Sequence, residues 1–273
     1  MEAVFRGVWV IAYRDLLRFV QERARLIASF AMPLLFLIIF GAGFNRVIGP
    51  LAPGVDFVQF IYPGIIAMIV LMNSLMSGLS VVWDREFGFL REVLVAPLSR
   101  TGIVLGKASG TAVISLGQGF VMLALAPIIG VTVNAMLVLK LIPLLLIISL
   151  TLSGLGILVA SRMRSQQGFQ MLVQIIIMPL VFLSGVFFPV NNVPTWLAVI
   201  SKVNPLTYGV DAIRQVFLGG DLAAIGGATG SGGYPLGVTV LGHTMSVLDD
   251  IIVVAALGAV LLLSAVWSFS RLE

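Results

Sequence analysis

Six stretches of this chain run without a single Asp, Glu, Lys or Arg, and each is long enough to cross a lipid bilayer. They lie between Arg25 and Arg46, Asp56 and Asp84, Lys107 and Lys140, Lys140 and Arg162, Arg164 and Lys202, and Asp250 and Arg271. A spanning helix needs about 20 mostly apolar residues. The expected spans are therefore about 26–45, 60–82, 108–129, 141–161, 168–188 and 251–270. Pro127 and Gly130 should end the third helix, and the fifth should stop before Pro189. Composition agrees: 59% of the residues are hydrophobic and 10% charged, against about 25% charged in a soluble domain. Water-soluble and disordered chains are both excluded.

A seventh uncharged stretch, Leu222 to Leu248, reads differently. Gly226, Gly227, Gly230, Gly232, Gly233, Gly237, Gly242 and Pro235 break it into short pieces. Each glycine costs a helix about 1 kcal/mol relative to alanine. The segment 219–248 is expected to be a Gly-rich external loop, with His243 an ordinary loop residue.

Charge placement orients the spans. Six crossings put Arg6, Arg14, Arg18, Arg23, Arg25, Arg85, Arg91, Arg100, Lys107, Arg162, Arg164 and Arg271 on one side. Only Arg46, Lys140, Lys202 and Arg214 fall on the other. Basic residues collect in cytoplasmic loops, so both termini are expected in the cytoplasm of a bacterial or archaeal cell. The net charge of +4 is then a matter of topology, and nucleic acid is not an expected partner. Residues 1–25 carry Phe5, Val8, Trp9, Ala12, Leu16, Phe19 and Val20 at helical spacing, interrupted by charges. That pattern is an amphipathic helix at the membrane interface and lacks the compact apolar centre of a signal peptide.

No engine is visible in the chain. With no cysteine and one histidine, thiolate and multi-histidine metal sites are unavailable. The nearest approach to a phosphate-binding loop is Gly102, Gly106, Lys107 and Ala108, which is one residue short and lacks the hydroxyl. Gly102, Gly106 and Gly110 fit the close approach of another helix better. On this placement the spans hold no ionisable residue, which disfavours ion coupling and charged filters.

Two regions carry chemistry. From Trp83 to Lys107 the cytoplasmic loop places Phe87, Leu90, Arg91 and Leu94 on one face of a short amphipathic helix ended by Pro97. It suits a soluble partner or the lipid surface. After the fifth span, prolines and apolar spacing give two short helices, about 194–202 and 205–218. Apolar yet too short to span, they read as re-entrant elements of the outer leaflet.

The loop with its Glu86-Phe87-Gly88 run, together with Ser184-Gly185, Phe188-Pro189, Asn204-Pro205-Leu206, Tyr208 and Arg214, resembles the type 2 permeases of ATP-binding-cassette (ABC) exporters, such as the daunorubicin-resistance permeases. The resemblance covers essentially the whole chain. It implies an all-α integral membrane fold: six transmembrane helices, an N-terminal interfacial helix, a cytoplasmic coupling helix and short re-entrant outer helices at 189–218. It assigns ATPase coupling to Asp84, Arg85, Glu86, Phe87, Gly88, Leu90, Arg91, Glu92, Leu94 and Pro97. An outer gate is implied at Phe187, Phe188, Pro189, Trp196, Asn204, Pro205, Tyr208 and Arg214. The partners implied are an ATPase subunit, which would bind the ATP and Mg, and a second permease copy. The chain itself would bind no cofactor and catalyse nothing.

Two polar stripes could line a substrate path, Asn73, Ser77 and Ser80 in the second span and Gln167, Gln170 and Gln174 in the fifth, with Phe182 beside the latter. Inter-helix hydrogen bonding explains them equally well. The expected cargo is hydrophobic or amphiphilic, a drug-like molecule or lipid. A surface polysaccharide or lipid-linked glycan is the alternative, and a secondary transporter or membrane scaffold remains behind it. The Gly-rich loop has no functional reading.

Overall fold

A computed structural model describes residues 2–48, 57–87, 99–129, 133–188, 190, 193–218, 237–240 and 243–271. Among them the chain is all α, apart from one two-residue hairpin. Helices α1 (Glu2–Gln21), α2 (Arg23–Ile48), α3 (Phe57–Glu86) and α4 (Arg100–Leu125) come first. A 3-10 turn at Ala126–Ile129 closes α4. Then come α5 (Ala135–Arg162), α6 (Gln166–Phe182), α7 (Thr195–Val203) and α8 (Pro205–Phe217). Strand β1 (Thr239–Val240) pairs antiparallel with β2 (His243–Thr244), and α9 (Val247–Ser270) ends the order. Four helices, α3, α4 with its 3-10 turn, α5 and α9, are long and apolar enough to cross a membrane. The apolar parts of α2 and α6 are shorter.

The helices start where polar side chains cap them, which is earlier than the charge gaps suggest. Ser99 Oγ accepts from the Gly102 amide at 3.0 Å and starts α4 at Arg100. Asn134 Oδ1 accepts from Leu137 N at 2.7 Å and starts α5 at Ala135. Ser246 and Asp249 form a reciprocal capping box that starts α9 at Val247. Each cap satisfies amides that the first helical turn leaves without partners. One consequence corrects the charge-free spans expected above. Asp84 lies inside α3, Lys107 inside α4 and Asp250 inside α9, all three buried.

Helix α3 is the centre, packed by α2, α4, α5, α6 and α8, while α5 also carries α9 and α4. Small residues allow a close crossing: a Cβ on Gly156 of α5 would stand 2.6 Å from the Leu75 carbonyl oxygen of α3. Without a hydrophobic drive between helices in lipid, such contacts supply the packing energy. Gly106 and Gly110 admit α1, as their spacing suggests; a Cβ on Gly106 would lie 2.8 Å from Ile11 Cβ. Helix α1 therefore has two apolar faces. Ile11 and Phe19 are buried inward, while Phe5, Trp9 and Tyr13 stay exposed.

Helix α6 ends at Phe182, six residues short of the expected 188. The chain turns through Gly185, whose φ of +80° is the left-handed conformation that glycine tolerates. Side chains from α8 and the residue before it take the carbonyls this early ending frees. Asn204 Nδ2 donates to Leu180 O at 2.7 Å and Arg214 Nη2 to Gly185 O at 2.7 Å. Part of the expected Gly-rich loop is ordered: the hairpin and the cap of α9 lie within 237–248, while 219–236 lie outside the described residues.

Candidate coupling and translocation site

The C-terminal end of α3 is held by charge. Lys107 Nζ, on a residue 1% exposed, donates to Asp84 Oδ2 at 2.9 Å and to Ser80 Oγ at 2.8 Å. Arg14 of α1 reaches the same Asp84 oxygen at 3.4 Å and Asp15 at 3.1 Å. Burial opposes the charge on Arg14, but the Asp15 and Asp84 carboxylates outweigh it and hold the guanidinium above its usual range. Arg18 lies 4.5 Å over the Trp83 ring. Three helices, α1, α3 and α4, thus meet around one carboxylate.

Two of the residues assigned to coupling are engaged within the protomer. Asp84 faces inward and is spent on Lys107 and Arg14. Arg85 Nη1 donates to Met163 O at 3.2 Å and braces the α5–α6 turn. Glu86 and Phe87 stand at the root of the loop, both exposed. Glu86 Oε2 accepts from Gln166 N, the first residue of α6, at 3.1 Å. Gly88, Leu90, Arg91, Glu92, Leu94 and Pro97 lie outside the described residues. Sequence reading missed Arg14 and Lys107. Their signal was available in opposite charges, Asp84 and Lys107, at facing ends of consecutive spans.

The two polar stripes part company. Ser77 and Ser80 bond back to carbonyls three residues earlier, at 2.7 and 2.8 Å, and Ser80 Oγ also accepts from Lys107 Nζ. Asn73 donates to Gln118 of α4, whose amide in turn donates to Ser29 of α2 at 2.7 Å. That stripe is an internal bond network between helices. Gln167, Gln170 and Gln174 are exposed and have no hydrogen-bond partner among the described residues. They share α6 with exposed Met171, Ile175, Met178 and Phe182. A small cleft of about 60 Å³ beside Arg18, Ser77 and Ser80 is far below the roughly 300–1,000 Å³ that ligand pockets occupy.

Most of the residues assigned to an outer gate bond or pack within the protomer. Asn204 caps α8 through Leu206 N at 2.9 Å as well as holding α6. Pro205 occupies the first turn of α8, where its missing N–H costs nothing. Tyr208 donates to Lys202 O at 2.7 Å, tying α8 to α7. Arg214, 2% exposed, sits 3.8 Å over the Phe60 ring and bonds backbone carbonyls only. Phe187 packs on Phe36 and Phe182, with ring centroids 5.8 and 5.3 Å apart. Phe188 is half-buried, Trp196 is exposed, and Pro189 lies outside the described residues. Asp211, Gln215 and Asp250 are buried at the α8–α9 contact, a cluster that a span boundary at Asp250 hides from the sequence.

Residues 6–218 match the ABC-2 type transporter family. The chain belongs to that family. It is 33% identical over 217 residues to a putative transport permease, ycf38, of Cyanophora paradoxa, covering 77% of this chain and 73% of the relative. The probable multidrug ABC transporter permease YbhR of Escherichia coli is 32% identical over 171 residues, 61% of this chain and 45% of that protein. Nodulation protein J of Rhizobium meliloti is 26% identical over 205 residues, 74% and 78% of the two chains. This ABC-2 protein is thus an ABC transporter permease, a multi-pass membrane protein whose family implies an ATPase partner. The match spans α1 to α8 and stops before the hairpin and α9.

Proposed function

We propose that this permease is the membrane subunit of an ATP-driven exporter, built from two copies of the chain and two separate ATPase subunits that carry ATP and Mg. Its cargo is a hydrophobic or amphiphilic molecule, drug-like or lipid, moved outward. The observation that supports this most directly is the bare amide face of α6. Side-chain amides facing hydrocarbon need partners, and Gln167, Gln170 and Gln174 have none within the described protomer. A second copy or a passing substrate supplies them. Met171, Met178 and Phe182 around them offer an adaptable apolar surface. That face carries no Trp or Tyr on which sugar rings could stack, which favours an apolar cargo over a glycan.

Coupling follows from the other end of α6. Glu86, at the root of the cytoplasmic loop, grips the first amide of that helix. An ATPase pressing on residues 86–97 would move Glu86 and α6 together, while Asp84, Lys107 and Arg14 keep α3 fixed on α1 and α4. The excess of basic residues on the loop side supports cytoplasmic termini and a cell-membrane location.

Two measurements test the proposal. Efflux of hydrophobic probes from cells carrying the Gln170→Leu, Gln174→Leu variant should fall several-fold with protein levels unchanged. Unaltered efflux of every apolar probe after deletion of the whole gene would discard the cargo class. Glu86→Lys combined with Arg91→Glu should abolish co-purification with the ATPase subunit. Normal association would discard the docking loop.

A further inference from the structure

The outer contact between α8 and α9 buries two carboxyl groups that the transport scheme does not use. Asp211 is 1% exposed and Asp250 0%. Gln215 Nε2 bridges them, donating to Asp211 Oδ2 at 3.2 Å and Asp250 Oδ2 at 3.1 Å. Both carboxyl groups thus crowd the same amide nitrogen. Their remaining oxygens, Asp211 Oδ1 and Asp250 Oδ1, are buried and have no protein donor. Two ionised carboxylates cannot share such a site, because repulsion adds to the cost of burying each. One hydrogen between them satisfies an oxygen on each side and removes a charge.

The neighbouring charges agree. Arg214 on α8 faces Asp211 and supplies one buried positive charge. Tyr208 on α8 faces Asp250 but is spent on Lys202 O. On α9 the exposed Asp249 faces Asp250 and is occupied by Ser246 and by His243 of β2. Helix α3 contributes Tyr62, whose hydroxyl goes to the Met122 carbonyl, and on α5 Lys140 is exposed. With one shared proton, Arg214, Asp211 and Asp250 sum to zero; without it a net negative charge is buried.

We propose that Asp211 and Asp250 hold one proton between them, and that this proton latches the outer helix α8 to α9 and to the hairpin. The hairpin is tied to the same groups. Val238 N donates to Asp211 Oδ2 at 2.9 Å, and Met245 O accepts from Gln215 at 3.0 Å. The segment that the sequence left without a role is thus anchored on the pair. Loss of the proton sets two negative carboxylates against each other and frees the hairpin.

The sign of the pH dependence follows from proton counting. The folded pair keeps a proton that the unfolded chain releases above the ordinary carboxylate range, so stability falls as pH rises through neutrality. One proton amounts to about tenfold in the folding equilibrium constant per pH unit. The experiment is reversible unfolding of the purified full-length permease in mixed micelles, across about pH 6 to 9, beside Asp250→Asn. The amide keeps a donor toward Asp211 and needs no shared proton. The variant is expected to be the more stable at high pH and to lose that tenfold slope. Asp211→Asn, which removes the nearby negative charge that offsets buried Arg214, is expected to be destabilised at every pH. Infrared spectra of the wild-type protein at neutral pH should show a protonated carboxyl band that titrates away at alkaline pH. Equal slopes in wild type and Asp250→Asn, absence of that band, or stability that follows sodium rather than pH would each overturn the proposal.

Discussion

Asp84 shows how one buried carboxylate can organise three helices. It accepts from Lys107 at 2.9 Å and from Arg14 at 3.4 Å, and Lys107 has no other anionic partner among the described residues. Taking two charges out of water costs several kcal/mol each, which good geometry and added hydrogen bonds must offset. Breaking such a pair is much worse than replacing both members. Asp84→Asn should therefore destabilise the permease by about 3–5 kcal/mol, read as a fall in melting temperature of the purified protein. Asp84→Leu with Lys107→Met should recover most of that loss. Equal melting temperatures for wild type and Asp84→Asn would show that the cluster is solvated and contributes nothing.

At the scale of the helix, caps and small residues decide where elements begin and how near they come. Gly156 stands where a Cβ would lie 2.6 Å from the Leu75 carbonyl. Gly156→Val must force α3 and α5 apart, and overpacking of this kind costs about 1–3 kcal/mol or more. The expected outcome is a lower melting temperature and less folded protein recovered from membranes. Ser246→Ala removes half of the capping box of α9 and should cost about 1 kcal/mol, a shift measurable by the same melt. Helix existence was readable from the uncharged runs because hydrocarbon tolerates so little charge. The two short outer helices were readable from Pro194, Pro205 and the spacing of apolar residues around them. Helix ends were not readable, because charge gaps mark where polar groups occur and not where backbone amides find caps. Asp84, Lys107 and Asp250 were placed outside the spans for that reason. Of the candidate residues, the Gln face of α6 stands out in the sequence as a stripe. Nothing in the periodicity separated it from the Asn73, Ser77 and Ser80 stripe, which differs only in having partners on α4 and within α3.

For the whole molecule, exposed apolar surface faces lipid or, under the proposed two-copy assembly, a second copy. Helices α2 and α6 flank α3 and contribute fewer inward faces than α3 or α5, and their outer sides carry Ile27, Ile38, Ile39, Met171 and Ile175 exposed. The chain has no cysteine, so one introduced thiol reports a single position without background. If two copies meet at α6, Gln170→Cys should form a cross-linked dimer on mild oxidation in membranes. Met136→Cys, exposed at the outer end of α5, should remain monomeric. Cross-linking at Met136→Cys alone would move the interface elsewhere.

Helix α6 is gripped at both ends, by Glu86 at its first amide and by Asn204 at the Leu180 carbonyl. Its 17 residues make a rod about 26 Å long at 1.5 Å per residue. Such a rod cannot stretch without breaking its own backbone bonds. Under the coupling proposed above, a displacement at the Glu86 end would arrive at Asn204, and through it at α8, with no refolding in between. Timing would then be kinematic: the two ends would keep the same clock, and a pause between drive and opening would require one of the two grips to let go.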